Sequence, residues 1–285
     1  MRQGAARPEL ALAIAGPGSP AAPPVLRPPH PSVDVWRDNT GGVCAYTYPA
    51  GEQFCMDWPG IARFCFDASG QTIRAWPEPG QRLSSLQRVH RRAVVPAALQ
   101  HLGFETLHAS AAGFASGVVG FVGAAGAGKS TMARACATAG ADHWADDTLV
   151  LEVGQRGTAA IAIPFDVALR TPSQQHFAGD AQPAVMAARL GRSDLVALVL
   201  LDRGGTRVAV EPVGPVQALE QLLPHACTFT MRDDRRRRAM VEQYLTLVSA
   251  VPVWRLRYPS DFSTLAEVVE VIGRDVAGSR EAGRG

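Results

Sequence analysis

The sequence predicts an α/β fold: a P-loop core on a mixed sheet, with a small β-rich unit ahead of it. Three observations carry this. The apolar run Gly117–Val122 feeds directly into the glycine loop Gly123–Ser130, and a helical pattern follows. Leu195–Leu201 is continuously apolar, as a strand buried on both faces must be. Residues 32–80 instead alternate in short runs broken by Pro, Gly and an Asp-Ala-Ser-Gly turn.

Composition bounds the rest. A chain of 285 residues is long enough for one or two domains with a proper hydrophobic core. At 47% hydrophobic and 19% charged it belongs to the ordinary globular class, and a net charge of +2 argues against duplex DNA as a partner. Of the 28 basic residues 27 are Arg, and Lys129 is the only Lys, so lysine chemistry elsewhere is excluded. The cysteines, at 44, 55, 65, 136 and 227, are odd in number and form no CxxC pair. Neither a disulfide framework nor a zinc site is expected, and reduced thiols in a cytoplasmic protein follow. Leu10–Ala15 is too short for a signal-peptide core, and Leu195–Leu201 falls far below the ~20 residues of a membrane span. No membrane partner is expected.

Along the chain, residues 1–31 are rich in Pro, Ala and Gly and read as a disordered tail. Residues 32–80 form the small β-rich domain, with strands at Val43–Tyr48, Ile61–Asp67 and Thr72–Trp76. Residues 81–277 form the P-loop domain, and 278–285 a flexible C-terminal tail. Ser84 with Gln87 resembles a capping box, and Pro96 must kink or restart the helix it opens. Glu105–Ala111 and Gly117–Val122 read as strands, and Lys129–Ala139 as a helix stopped by Gly140. Thr148–Val153 and Thr158–Ile163 make a hairpin. Asp233–Ala250 is a helix burying Val241, Tyr244, Leu245 and Val248. Val253–Arg257 is a strand, and a Thr264/Glu267 capping box opens a last helix burying Leu265, Val268, Val269 and Ile272.

The chemistry is carried by Gly123-Ala124-Ala125-Gly126-Ala127-Gly128-Lys129-Ser130, a match to G-x-x-x-x-G-K-[ST] (Walker A), with Thr131 following. Small residues let backbone N–H groups turn inward around phosphates without obstruction by Cβ atoms. The helix beginning near Lys129 adds its positive end. Lys129 would reach the β- and γ-phosphates, and the Ser130 hydroxyl would bind Mg²⁺. Asp146-Asp147 follow, ahead of the Thr148 strand. Phosphoryl transfer needs a carboxylate near the metal and another group to take the acceptor's proton, and adjacent carboxylates can divide these duties. His108 lies in an apolar run, where a histidine is more often a hydrogen-bonded core residue.

Taken together, Leu107-His108-Ala109-Ser110-Ala111, Gly123 fifteen residues after His108, and Trp144-Ala145-Asp146-Asp147 resemble the HPr kinase/phosphorylase family and its bacterial relatives. The resemblance covers roughly residues 80–275 and is densest over 108–151. It implies a P-loop kinase core related to phosphoenolpyruvate carboxykinase, with ATP and Mg²⁺ as cofactors. It also implies Asp146 as general base, Asp147 as a magnesium ligand beside the Ser130 of the motif, and His108 near the reacting phosphate. Two departures matter. No counterpart of the family's Arg-Gly-Leu/Val-Gly loop follows the nucleotide site; Ile163–Arg170 stands there instead. The segment Pro252–Pro259 looks more like divergent relatives in peptide natural-product pathways, among them kinases acting on the C-terminal serine of lasso-peptide (RiPP) precursors.

The expected function is therefore an ATP- and Mg²⁺-dependent serine kinase acting on a peptide or protein. A small-metabolite kinase, for example of free serine, and a non-catalytic nucleotide-binding regulator stay open as alternatives. Relatives form ring-like oligomers, which keeps a homo-oligomer open as well. Arg232 and Arg235–Arg238 open the Asp233–Ala250 helix, read first as a solvated face and second as a clamp for phosphate or an acidic peptide. No aromatic residues interleave with them, so nucleic acid is not expected.

Overall fold

The computed structural model describes residues 10–16, 18–38, 40–67, 72–155, 157–163, 165, 167, 169–178, 191–227 and 234–278. The fold is mixed α/β with two mixed sheets. The chain divides into two compact units, one drawn from Met1–Gly103 and Thr228–Arg237, the other from Phe104–Cys227 and Arg238–Gly285.

The first unit holds a six-stranded sheet in the order β1-β6-β5-β4-β3-β2. Its strands are β1 (Ala11–Ile14), β2 (Asp34–Arg37), β3 (Val43–Ala50), β4 (Gln53–Trp58), β5 (Ala62–Asp67) and β6 (Thr72–Pro77). β2 to β6 run as an antiparallel meander. Strand β1, inside the segment expected as a disordered tail, pairs in parallel with β6, Ala11 opposite Thr72 through Ile14 opposite Ala75. Backbone pairing holds this edge strand, continued by Ala15 N–H donating to Ala75 O at 2.8 Å, and Leu10 just ahead of it is buried. The cysteine expectation also needs correction. Register sets Cys55 opposite Cys65, with Cα atoms 4.2 Å apart, and a disulfide joins them. Only directly opposed cross-strand residues lie this close, and a ten-residue separation in sequence does not reveal which residues are opposed.

Helix α1 (Leu83–Val89) begins after Arg82 with no side-chain cap, so the Ser84/Gln87 box does not form. A π-helical turn, His90–Val94, joins it without a break to α2 (Val95–His101), and Pro96, which has no N–H to donate, follows directly on that wider turn. The restart expected at Pro96 is thus made by a wider turn ahead of it.

The second unit holds a nine-stranded sheet: β10-β8-β9-β13-β12-β11-β7, with β15 on β13 and β14 on β15. Its strands are β7 (Glu105–Leu107), β8 (Ala109–Phe114), β9 (Gly117–Val122), β10 (Asp142–Ala145), β11 (Leu149–Gly154), β12 (Gly157–Ile161), β13 (Arg192–Arg203), β14 (Ala209–Val213) and β15 (Val253–Tyr258). The expected strand Glu105–Ala111 is two strands that break at His108: β7 pairs with β11, β8 with β9 and β10. Strand β13 is the spine. Its first residues pair with β12, Leu195–Leu200 pair with parallel β9, and Leu198–Arg203 pair with parallel β15. That position explains the continuous apolar run, since Leu195–Leu201 are all buried.

The helices of this unit are α3 (Lys129–Thr138), α4 (Thr171–His176), α5 (Pro215–Leu222), α6 (Asp234–Ala250), which belongs to it from Arg238 onward, and α7 (Leu265–Val271). In α6 the buried residues are Tyr244, Leu247 and Val248, while Val241 and Leu245 are exposed, so the buried stripe is narrower than periodicity suggested. Arg235–Arg238 stand on its first turn, where Arg237 pairs with Asp234; Arg232 lies outside the described residues. Helix α7 does bury Leu265, Val268 and, just past its end, Ile272, but Thr264 makes no side-chain cap. Asp261 instead accepts from Ser263 N–H to cap the preceding turn. No helix among the described residues is long and apolar enough to cross a membrane.

Candidate active site

The three parallel strands β9, β13 and β15 end along one edge of the sheet, the edge at which open α/β sheets bind ligands. The chain leaves β9 into the loop Gly123–Gly128 and enters α3 at Lys129. Strand β13 delivers Arg203 there, and β15 delivers Tyr258. Arg203 Nη1 donates to Gly126 O at 3.1 Å, and Tyr258 Oη donates to Ala127 O at 2.6 Å. Burial pushes the Tyr258 phenol up to about 12, so it remains a donor at neutral pH. Two side chains from neighbouring strands thus pin the loop's backbone.

Glycine is required in the loop for conformation and for space. Gly126 and Gly128 take φ of +88° and +97°, and a Cβ at Gly128 would lie 2.6 Å from the Tyr258 hydroxyl. Lys129 is buried, and its Nζ donates to Gly123 O at 2.8 Å and Ala124 O at 3.3 Å. Its pKa is lowered, first by burial; Asp147 and Asp146 pull it back up, and Arg170 pushes it further down. The lysine is therefore in the field of both carboxylates and of a second cation. Ser130 is half-buried at the start of α3, and Thr131 is turned sideways, its hydroxyl 2.8 Å from that of Ser173 in α4.

The carboxylates follow β10, and their environments differ. Asp146 is 3% exposed and accepts from Ser110 Oγ at 2.8 Å. Asp147 has a side chain 41% exposed and holds φ at +70°, a backbone conformation that non-glycine residues adopt rarely and at functional sites more than elsewhere. His108, at the break between β7 and β8, points Nδ1 at Asp147 twice: 3.0 Å to its carbonyl and 3.3 Å to its Oδ1. Both partners are acceptors, which puts the proton on Nδ1.

The structure thus brings His108, Lys129, Asp146 and Asp147 together beside the loop Gly123–Ser130. Four further residues join them that the linear reading did not single out. Arg203 and Tyr258 arrive through strand pairing. Arg170 brings a guanidinium nitrogen to 3.2 Å from where a Cβ on Gly126 would sit. His225 accepts at its carbonyl from His108 N–H at 2.8 Å. Its ring pKa is lowered by burial, then by Lys129 and His108, which keeps it neutral. Only the basic character of Arg203 and Arg170 was a signal in the sequence. His143, buried on β10 beside Asp146, has neither ring nitrogen hydrogen-bonded, and burial lowers its pKa most.

The donor set suits a hard cation. Two adjacent carboxylates and a serine hydroxyl match a small divalent ion that takes one or two protein carboxylates and fills its remaining positions with phosphate and water. Among the described residues no group of three or more His, Cys, Asp or Glu could form an all-protein metal cage.

No family model matches the sequence, and no curated protein matches it. Among solved structures the chain is similar to the HPr(Ser) kinase/phosphatase from Coxiella burnetii. The two are 10% identical, the match covers 62% of this chain and 94% of that one, and the TM-score is 0.36. At that level of superposition the chemistry rests on the residues described above.

Proposed function

We propose that this protein is an ATP- and magnesium-dependent kinase that transfers the γ-phosphoryl group to a serine hydroxyl of a peptide or protein. The observation that supports it best is the convergence of a pinned P-loop, its buried lysine and two unlike carboxylates at one sheet edge. The loop N–H groups of Gly123–Gly128 and Lys129, with Arg170 and Arg203 beside them, are suited to cradle the phosphates and balance their charge. Ser130 and Asp147 would hold the magnesium ion, which when bound screens charge between the β- and γ-phosphates. Asp146 takes the proton of the serine hydroxyl as its oxygen attacks phosphorus, and the bond to the bridging oxygen breaks to release ADP. His108 keeps Asp147 oriented, and Ser110 keeps Asp146 oriented.

One observation favours a second assignment within the same site. Asp146 is almost wholly buried, whereas Asp147 is half-exposed and so better placed to meet an incoming hydroxyl. In that reading Asp147 is the base and Asp146 the metal-side carboxylate. As for the acceptor, the C-terminal serine of a lasso-peptide precursor in the cytoplasm is our specific proposal, from the departure at 163–170 and the Pro252–Pro259 segment. The test is incubation with Mg·ATP and serine-ended peptides, followed by mass spectrometry. Phosphate on the terminal serine, lost on its replacement by alanine, is the expected result. Transfer to free serine alone would favour a metabolite kinase, and binding without turnover a regulator.

A further inference from the structure

Beside the P-loop stands a pair of rings that the chemistry above does not use. His176, the last residue of α4, stacks on Phe262 with ring centroids 4.5 Å apart and an interplanar angle of 16°. The ring of Phe177 stands nearly perpendicular to the same imidazole, at 4.8 Å and 81°. Two rings therefore fix the imidazole, yet His176 remains exposed and Phe262 only half-buried. The two rings cover each other on one side, and an exposed imidazole stacked in this way can offer its remaining surface to a planar ligand.

Two tethers set the distance from the pair to the phosphate loop. On one side Arg203 spans from Gly126 O, through Nη1, to Ser260 O, through Nη2 at 3.3 Å, tying the loop that carries Phe262 to the P-loop. On the other, Arg170 lies against Gly126, and the Thr131–Ser173 hydroxyl pair fastens α4 to α3. From Arg170, α4 rises about 1.5 Å per residue, so His176 lies about 9 Å further along its axis. A ligand with its phosphates in the loop and a flat group one sugar away fits that layout.

We infer that the His176–Phe262 pair is the nucleobase platform: the purine ring of the nucleoside triphosphate stacks there while its phosphates occupy Gly123–Ser130. This inference rests on the P-loop reading proposed above. Stacking reads the π-face of the base and not its edge, so ATP and GTP bind with similar affinity.

The test compares ATP with inorganic tripolyphosphate, which has the phosphates and no base, by calorimetry on the full chain with magnesium. In the wild type ATP should bind more tightly than tripolyphosphate. His176→Ala and Phe262→Ala should each weaken ATP roughly tenfold, leave tripolyphosphate unchanged, and Phe262→Tyr should restore ATP binding. Should Phe262→Ala fail to fold, the exposed His176→Ala carries the test. Unchanged ATP affinity in His176→Ala, or equal wild-type affinity for the two ligands, overturns the platform and leaves the P-loop reading standing. Wild-type protein that binds neither ligand overturns both.

Discussion

At the scale of single residues, Lys129 carries the heaviest demand. It is the only lysine in the chain, is buried, and is held by two carbonyls of its own loop. Burial depresses its pKa while the two carboxylates raise it, so a bound triphosphate, adding negative charge, raises it further. Lys129→Ala should abolish triphosphate binding measurable by calorimetry, because no second lysine can substitute; full binding and turnover in the variant would remove the P-loop assignment. Asp146→Asn should leave Mg·ATP binding within a few-fold and cut transfer by ~10²–10⁴. Asp147→Asn should weaken magnesium dependence and nucleotide binding together. If single-turnover measurements give the opposite pattern, the two carboxylates exchange roles, as their exposures already allow. The motif residues were legible in sequence because backbone chemistry fixes their spacing. Arg203, Tyr258, Arg170 and His225 were not, because strand pairing and chain folding bring them to the loop from remote positions.

At the scale of elements, the longest periodic runs were readable and their ends were not. The capping box at Ser84 and the one at Thr264 match a pattern, but neither makes its side-chain bond. A hydroxyl near a helix start caps only if the preceding backbone turns it inward, and four residues of sequence do not encode that turn. The π-turn His90–Val94 has a consequence that can be measured. Burial lowers the His90 pKa from 6.5 to about 4, with Arg91 adding to the shift. Between those values the unfolded chain binds a proton that the folded chain does not. Stability is therefore fully present above pH 6.5 and is lost as pH falls from there through 4, on the order of 3 kcal/mol. His90→Gln stays neutral throughout, so its melting temperature should fall less than the wild type's between pH 6.5 and 4. Parallel slopes for the two proteins would remove His90 from the account.

At the scale of the whole molecule, two sheets of different logic make up the chain. The meander of the first unit reads in sequence as alternation between turn signals at β3, β5 and β6, whereas β1, β2 and β4 lie outside that reading. β4 carries Cys55, Met56 and Asp57 buried in succession, so it shows no alternation. The second unit reads through two buried apolar runs, β9 and the Leu195–Leu201 part of β13, as strands covered on both faces must show. Its strand order, which sets Arg203 and Tyr258 on the loop Gly123–Gly128, is a property of long-range pairing and was not legible. The central claim is that this edge of the second sheet transfers phosphate from a nucleotide to a serine. The most direct measurement is phosphoryl transfer from γ-labelled ATP, with magnesium, to serine-ended peptides, with Asp146→Asn/Asp147→Asn protein as control. The account predicts label on the terminal serine with the wild type and none with the double variant. Wild-type protein that binds ATP yet labels no serine in any peptide, protein or free amino acid would contradict it.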